Sequence, residues 1–309
     1  MIITVTLNPA VDKTTYIEGF NTGVVNRVKE LRKDAGGKGI NVSKVVNKLG
    51  GSTVALGFLG GTPGEFIKEE LDRFDIAEDF IWLREATRTN LKIVDTTNGV
   101  ETEVNELGAK VNKEQLNRLE EQILAKADSQ DSVVLTGSLP PGVDDDIYAE
   151  LIKKLDATDC KVFLDASGGS LRKGIASNPY LIKPNLAELE ALVERKLNTI
   201  EEISQAAEKL QQQGIELVVI SLGAKGSLVV SQAGNFKVTP PAVEASSTIG
   251  AGDTLVGALA LQLETGKSLE EAIRYATVAS ANSVTKSGTQ LCNKEEVEKL
   301  LDQVEVVEI

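Results

Sequence analysis

The stretch VVLTGSLPPGVDDDIYAELIKKLDATDCKVFLDAS, Val133–Ser167, holds two short apolar runs, VVLTG and KVFLDAS, on either side of a segment with helical spacing, Asp144–Leu155. It reads as strand, helix, strand. The same unit repeats outward in both directions. Towards the amino terminus, Ile2–Leu7 reads as a buried first strand, and Gly39–Leu49 as a helix with Ile40, Val42, Val45, Val46 and Leu49 at its apolar positions. VALGFLG follows as a strand before a helix over Gly64–Phe74. Towards the carboxy terminus, KVFLDAS leads into a helix at Ser170–Ala176, YLIKPN leads into one at Leu186–Val193, and ELVVISLG follows a helix over Ile200–Gln213. Alternation of this kind predicts an α/β fold with a largely parallel sheet and helices on both faces. Ligands of such sheets gather at the carboxyl ends of strands.

Two regions break the rhythm. Thr14–Lys33 and Thr87–Leu107 contain β-favouring runs (TTYIEGF, VVNRVKEL, TNLKIVDT, VETEVNEL) and no long helix, and Asn98-Gly99 between two of them is a hairpin signal. These two excursions, about residues 13–33 and 87–108, are expected to form a small separate sheet placed as a lid on one domain that spans 1–309.

Composition narrows the chemistry. The 309 residues are 41% apolar and 26% charged, ordinary for a globular protein, and no apolar run approaches the roughly eighteen residues of a membrane span. MIITVTLNPAVDK lacks the basic start and cleavage site of a signal peptide, so the expected location is the cytoplasm. Cys160 and Cys292 lie far apart and match no metal spacing, which fits a reducing compartment. A net charge of −13 argues against nonspecific nucleic-acid binding and towards small-molecule partners. Histidine is absent altogether. Any general base must then be a carboxylate, a lysine, a tyrosine or a thiol.

Four motifs have chemistry to offer. In SSTIGAGDTLVGA, Ser246–Ala258, the residues Gly250, Ala251 and Gly252 stand before a helix-like run, where bared N–H groups and the helix dipole make an anion hole. Asp253 in the first turn is then placed to take a proton from a hydroxyl, although an acid there also simply complements the dipole. AGGKGIN, Ala35–Asn41, bares another helix start and adds Lys38 and Asn41, a set suited to a sugar phosphate, yet it lacks the spacing of a Walker A loop. In KPNLAEL, Lys183–Leu189, Asn185 and Glu188 share a helix face and either hold Mg²⁺ through water or merely cap the helix. SLGAKG, Ser221–Gly226, is either a plain hairpin turn or a turn whose backbone touches a nucleotide. Asp12 and Arg88 flank the lid and are polar candidates there, or surface charges.

In this order, TVTLNPAVD, AGGKGIN, TRTNLK, TEVNE, TGSLPPG, KPNLAEL, SLGAKG and STIGAGDT resemble the PfkB branch of the ribokinase-like sugar kinases over nearly the whole chain. The resemblance implies a three-layer αβα sandwich with a β lid that often forms a homodimer interface. It implies ATP and Mg²⁺ as co-reactants and a ketohexose phosphate as substrate, converted to a 1,6-bisphosphate. By position it makes Asp253 the general base and Gly250, Ala251 and Gly252 the anion hole. Asn185 and Glu188 match the NxxE motif that organises Mg²⁺ and the nucleotide phosphates; Lys183, Ser221, Gly223, Gly226 and Asn282 match nucleotide-side positions; Asp12, Gly37, Lys38, Asn41 and Arg88 match sugar-phosphate positions. Ser247 stands where the family commonly has aspartate. Lys38, TRTNLK and TEVNE favour fructose 1-phosphate as substrate, with tagatose 6-phosphate next, while SGTQLC looks closer to the minor 6-phosphofructokinases. A non-catalytic sugar-phosphate sensor should have lost the base or the NxxE pair, and both are present.

Overall fold

The computed structural model describes residues 1–286 and 290–309; Ser287, Gly288 and Thr289 of SGTQLC lie outside the described residues. From the amino terminus the chain forms β1 (Ile2–Thr6), β2 (Ala10–Ile17), β3 (Glu30–Gly36), α1 (Lys38–Lys48), β4 (Thr53–Gly60), α2 (Gly61–Arg73), β5 (Ala77–Leu83), β6 (Arg88–Asp95) and β7 (Val100–Asn105). It continues through α3 (Lys113–Lys126), β8 (Ser132–Thr136), α4 (Ile147–Leu155), β9 (Lys161–Asp165), α5 (Gly168–Ile175), β10 (Leu181–Ile182), α6 (Leu186–Val193), α7 (Ile200–Gln211) and β11 (Leu217–Ser221). β12 (Ser227–Ser231), β13 (Gly234–Thr239), α8 (Ala251–Glu264), α9 (Leu269–Val284), α10 (Lys294–Leu300) and β14 (Glu305–Glu308) complete it.

The large sheet has ten strands in the order β14-β13-β12-β11-β10-β9-β8-β1-β4-β5. From β11 to β5 every pairing is parallel. β12, β13 and β14 add an antiparallel edge that the alternation of strands and helices did not announce. The helix expected from Asp144 starts only at Ile147, since consecutive aspartates favour turns over helix interior. YLIKPN yields a strand of just two residues, because Pro184 has no N–H to continue the ladder.

Side chains alternate across the strands and thereby divide the core. Ile3, Val5, Val133, Leu135, Val162, Leu164, Val218 and Ile220 pack with α3, α4, α5 and α7, whereas Ile2, Val134, Phe163, Leu217 and Val219 pack with α1, α8, α9 and α10. Period-two burial on both faces is what a covered sheet requires, and the result is three layers. A third cluster joins α2 to β4 and the base of the lid through Ile67, Leu71, Leu59, Val11 and Ala35.

The lid is a separate four-stranded sheet, β3-β2-β6-β7, in which β2 and β6 run parallel and the outer pairs antiparallel. Its hairpin turns at Asn98-Gly99, with Gly99 at a φ of 66°. The lid begins earlier than expected, so Asp12 is a strand residue, and β3 runs to Gly36 at the door of α1. Among the described residues no helix is long and apolar enough to cross a membrane.

Phe163 is fully buried at the centre of the α1/α8 layer and touches Tyr180 ring to ring at 5.7 Å. Phe163→Ala is expected to lower the unfolding free energy by about 3–5 kcal/mol, read by chemical denaturation.

Candidate active site

The chain runs from β1 to β4 and β5 on one side of the sheet and from β8 to β11 on the other, so the strand order reverses between β1 and β8. A crevice at the carboxyl ends is expected at such a switch point. It is present as a cavity of about 470 Å³. Its walls are the strand ends Thr6, Gly137 and Asp165, the lid residues Asp12, Arg88 and Asn90, and the helix starts Gly37, Lys38, Gly250, Gly252 and Asp253. Asp12, Gly37, Lys38, Asn41, Arg88, Lys183, Gly250, Gly252 and Asp253, scattered over 242 positions of sequence (253 − 12 + 1), line this one space.

Two helices point their amino termini into it. α1 follows Gly37 and α8 follows Gly250, and neither has a side-chain cap, whereas Asn112, Asn185, Thr199, Ser268 and Asn293 cap other helices. Gly250 has φ 76° and ψ 0°, a left-handed geometry that glycine adopts without strain, and this turns the loop into α8. First-turn N–H groups are thereby left to a ligand. Ala251 begins α8 but does not line the cavity. Ser247 accepts a hydrogen bond from the Ile249 N–H at 3.3 Å, so in place of an aspartate it still serves the turn.

Asp253 is 6% exposed and its Oδ2 accepts a hydrogen bond from Asn41 Nδ2 at 2.8 Å. Burial, with the charge of Asp165 behind it, pushes the Asp253 carboxyl up to about 6, while Lys38, the Asn41 bond and Lys183 pull the other way. This is a carboxylate close to the strength a base needs near neutral pH.

Asp165 was not singled out from the sequence, where it is the last letter of an apolar strand. It is 3% exposed and forms two ion pairs, to Lys38 at 3.2 Å and to Lys183 at 3.3 Å. Burial opposes its charge, but the two ammonium groups prevail and hold its carboxyl below the usual range. Lys183 also lies against α8: a Cβ on Gly252 would stand 3.1 Å from its Nζ.

At the lid end, Asp12 Oδ1 accepts from Asn90 Nδ2 at 3.0 Å across the β2–β6 register. Burial raises the Asp12 carboxyl. Arg88 donates to the carbonyls of Asn8 and Glu106 at 3.0 and 3.1 Å and to Ser138 Oγ at 3.3 Å. Its Nε, together with Thr6 Oγ1, Asn41 Oδ1 and Asn90 Oδ1, is buried without a hydrogen-bond partner. Orphaned polar atoms in a cavity wall mark a place built for a polar ligand.

The remaining residues lie elsewhere. A second cavity of about 450 Å³ is lined by Asn185, Leu186, Ser221, Leu222, Gly223 and Lys225, and Asn185 bridges to Ser221 in parallel register. Asn185 and Glu188 form a reciprocal capping box, each accepting from the other's backbone N–H at 2.9 Å. SLGAKG is indeed a tight turn between antiparallel strands; a Cβ on Gly226, whose φ is 90°, would stand 1.9 Å from the Val238 carbonyl oxygen. Asn282 is buried away from both cavities, donating to Glu296 and accepting from the Asn293 N–H. Among the described residues, no three or more acidic, cysteine or histidine side chains gather as a metal cage.

The sequence pattern of the pfkB family of carbohydrate kinases matches residues 5–296. A 1-phosphofructokinase of Borreliella burgdorferi is 34% identical over all of this chain and 99% of its own length. A tagatose-6-phosphate kinase of Staphylococcus epidermidis is 32% identical over the whole of both chains. The phosphofructokinase-2 of Escherichia coli, solved in complex with substrates and products, superposes with a TM-score of 0.92 at 33% identity, covering 97% of this chain and 98% of its own. With its ribokinase-like sandwich and lid, the chain belongs to the pfkB family of carbohydrate kinases and is an ATP-dependent sugar kinase.

Proposed function

We propose that this kinase transfers the terminal phosphoryl group of MgATP to O6 of fructose 1-phosphate, giving fructose 1,6-bisphosphate and ADP. The observation that carries the reading is Asp253, a buried carboxylate at about 6, standing on the uncapped first turn of α8 beside Lys183. Asp253 takes the O6 proton as O6 bonds to the phosphorus and the bond to the ADP oxygen breaks. The N–H groups of α8 and the Lys183 ammonium meet the charge on the moving group, and positioning does most of the work. Asp12, Asn90 and the orphaned Asn41 Oδ1 offer contacts to sugar hydroxyls, and Arg88 offers a guanidinium to the phosphate already on the sugar.

The nucleotide is assigned to the side of Asn185, Ser221, Gly223 and Lys225. Mg²⁺ would be met through water by Glu188, which uses Oε2 for the helix cap and keeps Oε1 as a hard oxygen for a hydrated cation. When bound, the cation neutralises phosphate charge. The two free thiols, Cys160 and Cys292, suit a cytoplasmic setting.

Fructose 1-phosphate is preferred over tagatose 6-phosphate because Lys38, TRTNLK and TEVNE occur together here and because several similar proteins are named 1-phosphofructokinase. Initial rates of ADP release with ATP and each of fructose 1-phosphate, fructose 6-phosphate and tagatose 6-phosphate decide the matter. The highest kcat/KM is expected for fructose 1-phosphate; a higher value for either of the others overturns the choice.

Asp253→Asn is expected to lower kcat by roughly 10²–10⁴ with little change in KM. Because the base must be ionised, kcat/KM should fall as pH drops through about 6, where an unperturbed aspartate would give a limb near about 4. Near-normal turnover in the variant, or an acid limb near 4, counts against Asp253 as base.

The lid exposes Val24, Val25, Val28, Leu31, Val100, Val104 and Leu107, with Val25 85% and Leu107 80% exposed. An apolar patch of this extent is expected to be covered, and a second copy meeting it lid to lid makes a homodimer. Light scattering should give twice the chain mass for the wild-type protein and a monomer for Leu31→Asp/Val104→Asp.

A further inference from the structure

From the placement of its ammonium group we infer that Lys38 is a catalytic residue for the phosphoryl group in flight, rather than a ligand of the phosphate already on the sugar, and that Asp165 is the positioning residue that aims it. The inference rests on the reaction proposed above and deepens it.

Of the three cations that line the main cavity, Lys183 stands with Lys38 on Asp165, and Arg88 and Lys38 have opposite surroundings. Arg88 is anchored at the lid: it bonds the Asn8 and Glu106 carbonyls and Ser138, and the charges that act on it are those of Asp12 and Glu106. Lys38 ends on Asp165 at 3.2 Å, and the charges around it are Asp165, Asp253 and Glu188. That is the neighbourhood of the base and of the nucleotide-side helix cap. Burial works against the Lys38 charge, yet these three carboxylates hold its pKa above the ordinary lysine value, so it is a permanent cation.

In fructose 1-phosphate the existing phosphate sits on C1, at the far end of the sugar from O6. Whatever stands beside Asp253 faces the transferred group; whatever stands with Arg88 faces the C1 phosphate. Lys38 belongs to the first set. Its side chain is 41% exposed, so the ammonium can meet a ligand without leaving Asp165.

Asp165 explains the precision. A lysine side chain has four rotatable bonds and makes a poor fixed charge unless tethered. Asp165 Oδ2 takes Lys38 and Oδ1 takes Lys183, so one carboxylate sets two ammonium groups from different elements beside the same helix start. Both oxygens are taken up by the two ammonium groups, so Asp165 acts through the lysines and through its field on Asp253. Positive charge prepared in this way costs no reorganisation when the phosphoryl group moves.

Steady-state kinetics of Lys38→Met, with whichever of the three ketohexose phosphates the wild-type protein prefers, separates the alternatives. A kcat reduced by about 10²-fold, with KM for the sugar phosphate within about threefold of wild type, is expected for a group acting in the transition state. Arg88→Met should instead raise KM. A raised sugar KM with kcat retained in Lys38→Met overturns the inference. Choosing the substrate by assay keeps the two readings apart, since a different preferred sugar overturns the substrate assignment and leaves this comparison in force. Asp165→Asn supplies a readout that simple loss of packing does not move: without the Asp165 charge, and with two lysines released towards Asp253, the Asp253 carboxyl should titrate at lower pH. Carboxyl carbon NMR of the ligand-free protein reads it directly. An unchanged Asp253 titration in Asp165→Asn removes Asp165 from its assigned part.

Discussion

A buried negative charge organises this site. Asp165 closes β9 with its carboxylate withdrawn from water, and an ion so placed is tolerated only when paired. Its partners come from the start of α1 and from the residue after β10, so satisfying one charge fixes the mutual position of a helix start and two strand ends. The same charge keeps Asp253 from ionising as readily as a solvated carboxylate, which raises its basicity. Asp165 and Asp253 are thus parts of one electrostatic balance: two carboxylates whose environments drive their pKa values in opposite directions.

Around that balance the backbone supplies the rest. Asn, Ser or Thr side chains close α3, α6, α7, α9 and α10, whereas α1 and α8, like α2, α4 and α5, have no side-chain cap; α1 and α8 follow glycine and leave their first turns bare towards the cavity. The contrast has an energetic meaning. A side-chain cap stabilises a helix by about 1 kcal/mol, and forgoing two at one spot concentrates unsatisfied donors where an anion is to be held. At α6 the same NxxE residues that the family resemblance ties to the nucleotide form a capping box, so capping and ligand duty are compatible when the acid retains a second oxygen.

Much of this was legible in the sequence. Apolar runs alternating with amphipathic segments were enough for the layered sheet, and the runs flanking Asn98-Gly99 for the lid hairpin, because both follow from local periodicity. GAGD, AGGKGIN and KPN were legible as loops because glycine and proline before a helix leave few alternatives. Asp165 was not, since a strand-final aspartate is indistinguishable in one dimension from a turn former, and its meaning arises only from Lys38 and Lys183 across 127 and 18 positions (165 − 38 and 183 − 165). The antiparallel edge was missed for a related reason: β14 pairs with β13 across more than sixty residues, and the last strand carries as many acids as apolar residues. Asn282 illustrates the converse. Its match was to a nucleotide-side position, while its amide is spent on joining α9 to the start of α10.

The passage from lid to active-site helix is unusually short. β3 ends at Gly36, Gly37 follows, and α1 opens with Lys38, so the last strand of the lid segment and the helix that lines the cavity are successive segments of one chain with no loop between them. Lys44 reinforces the joint by donating from within α1 to the Ala35 carbonyl at 2.7 Å. The lid sheet and the helix that carries Lys38 are thus tied at one joint, so the position of β3 bears directly on the position of Lys38.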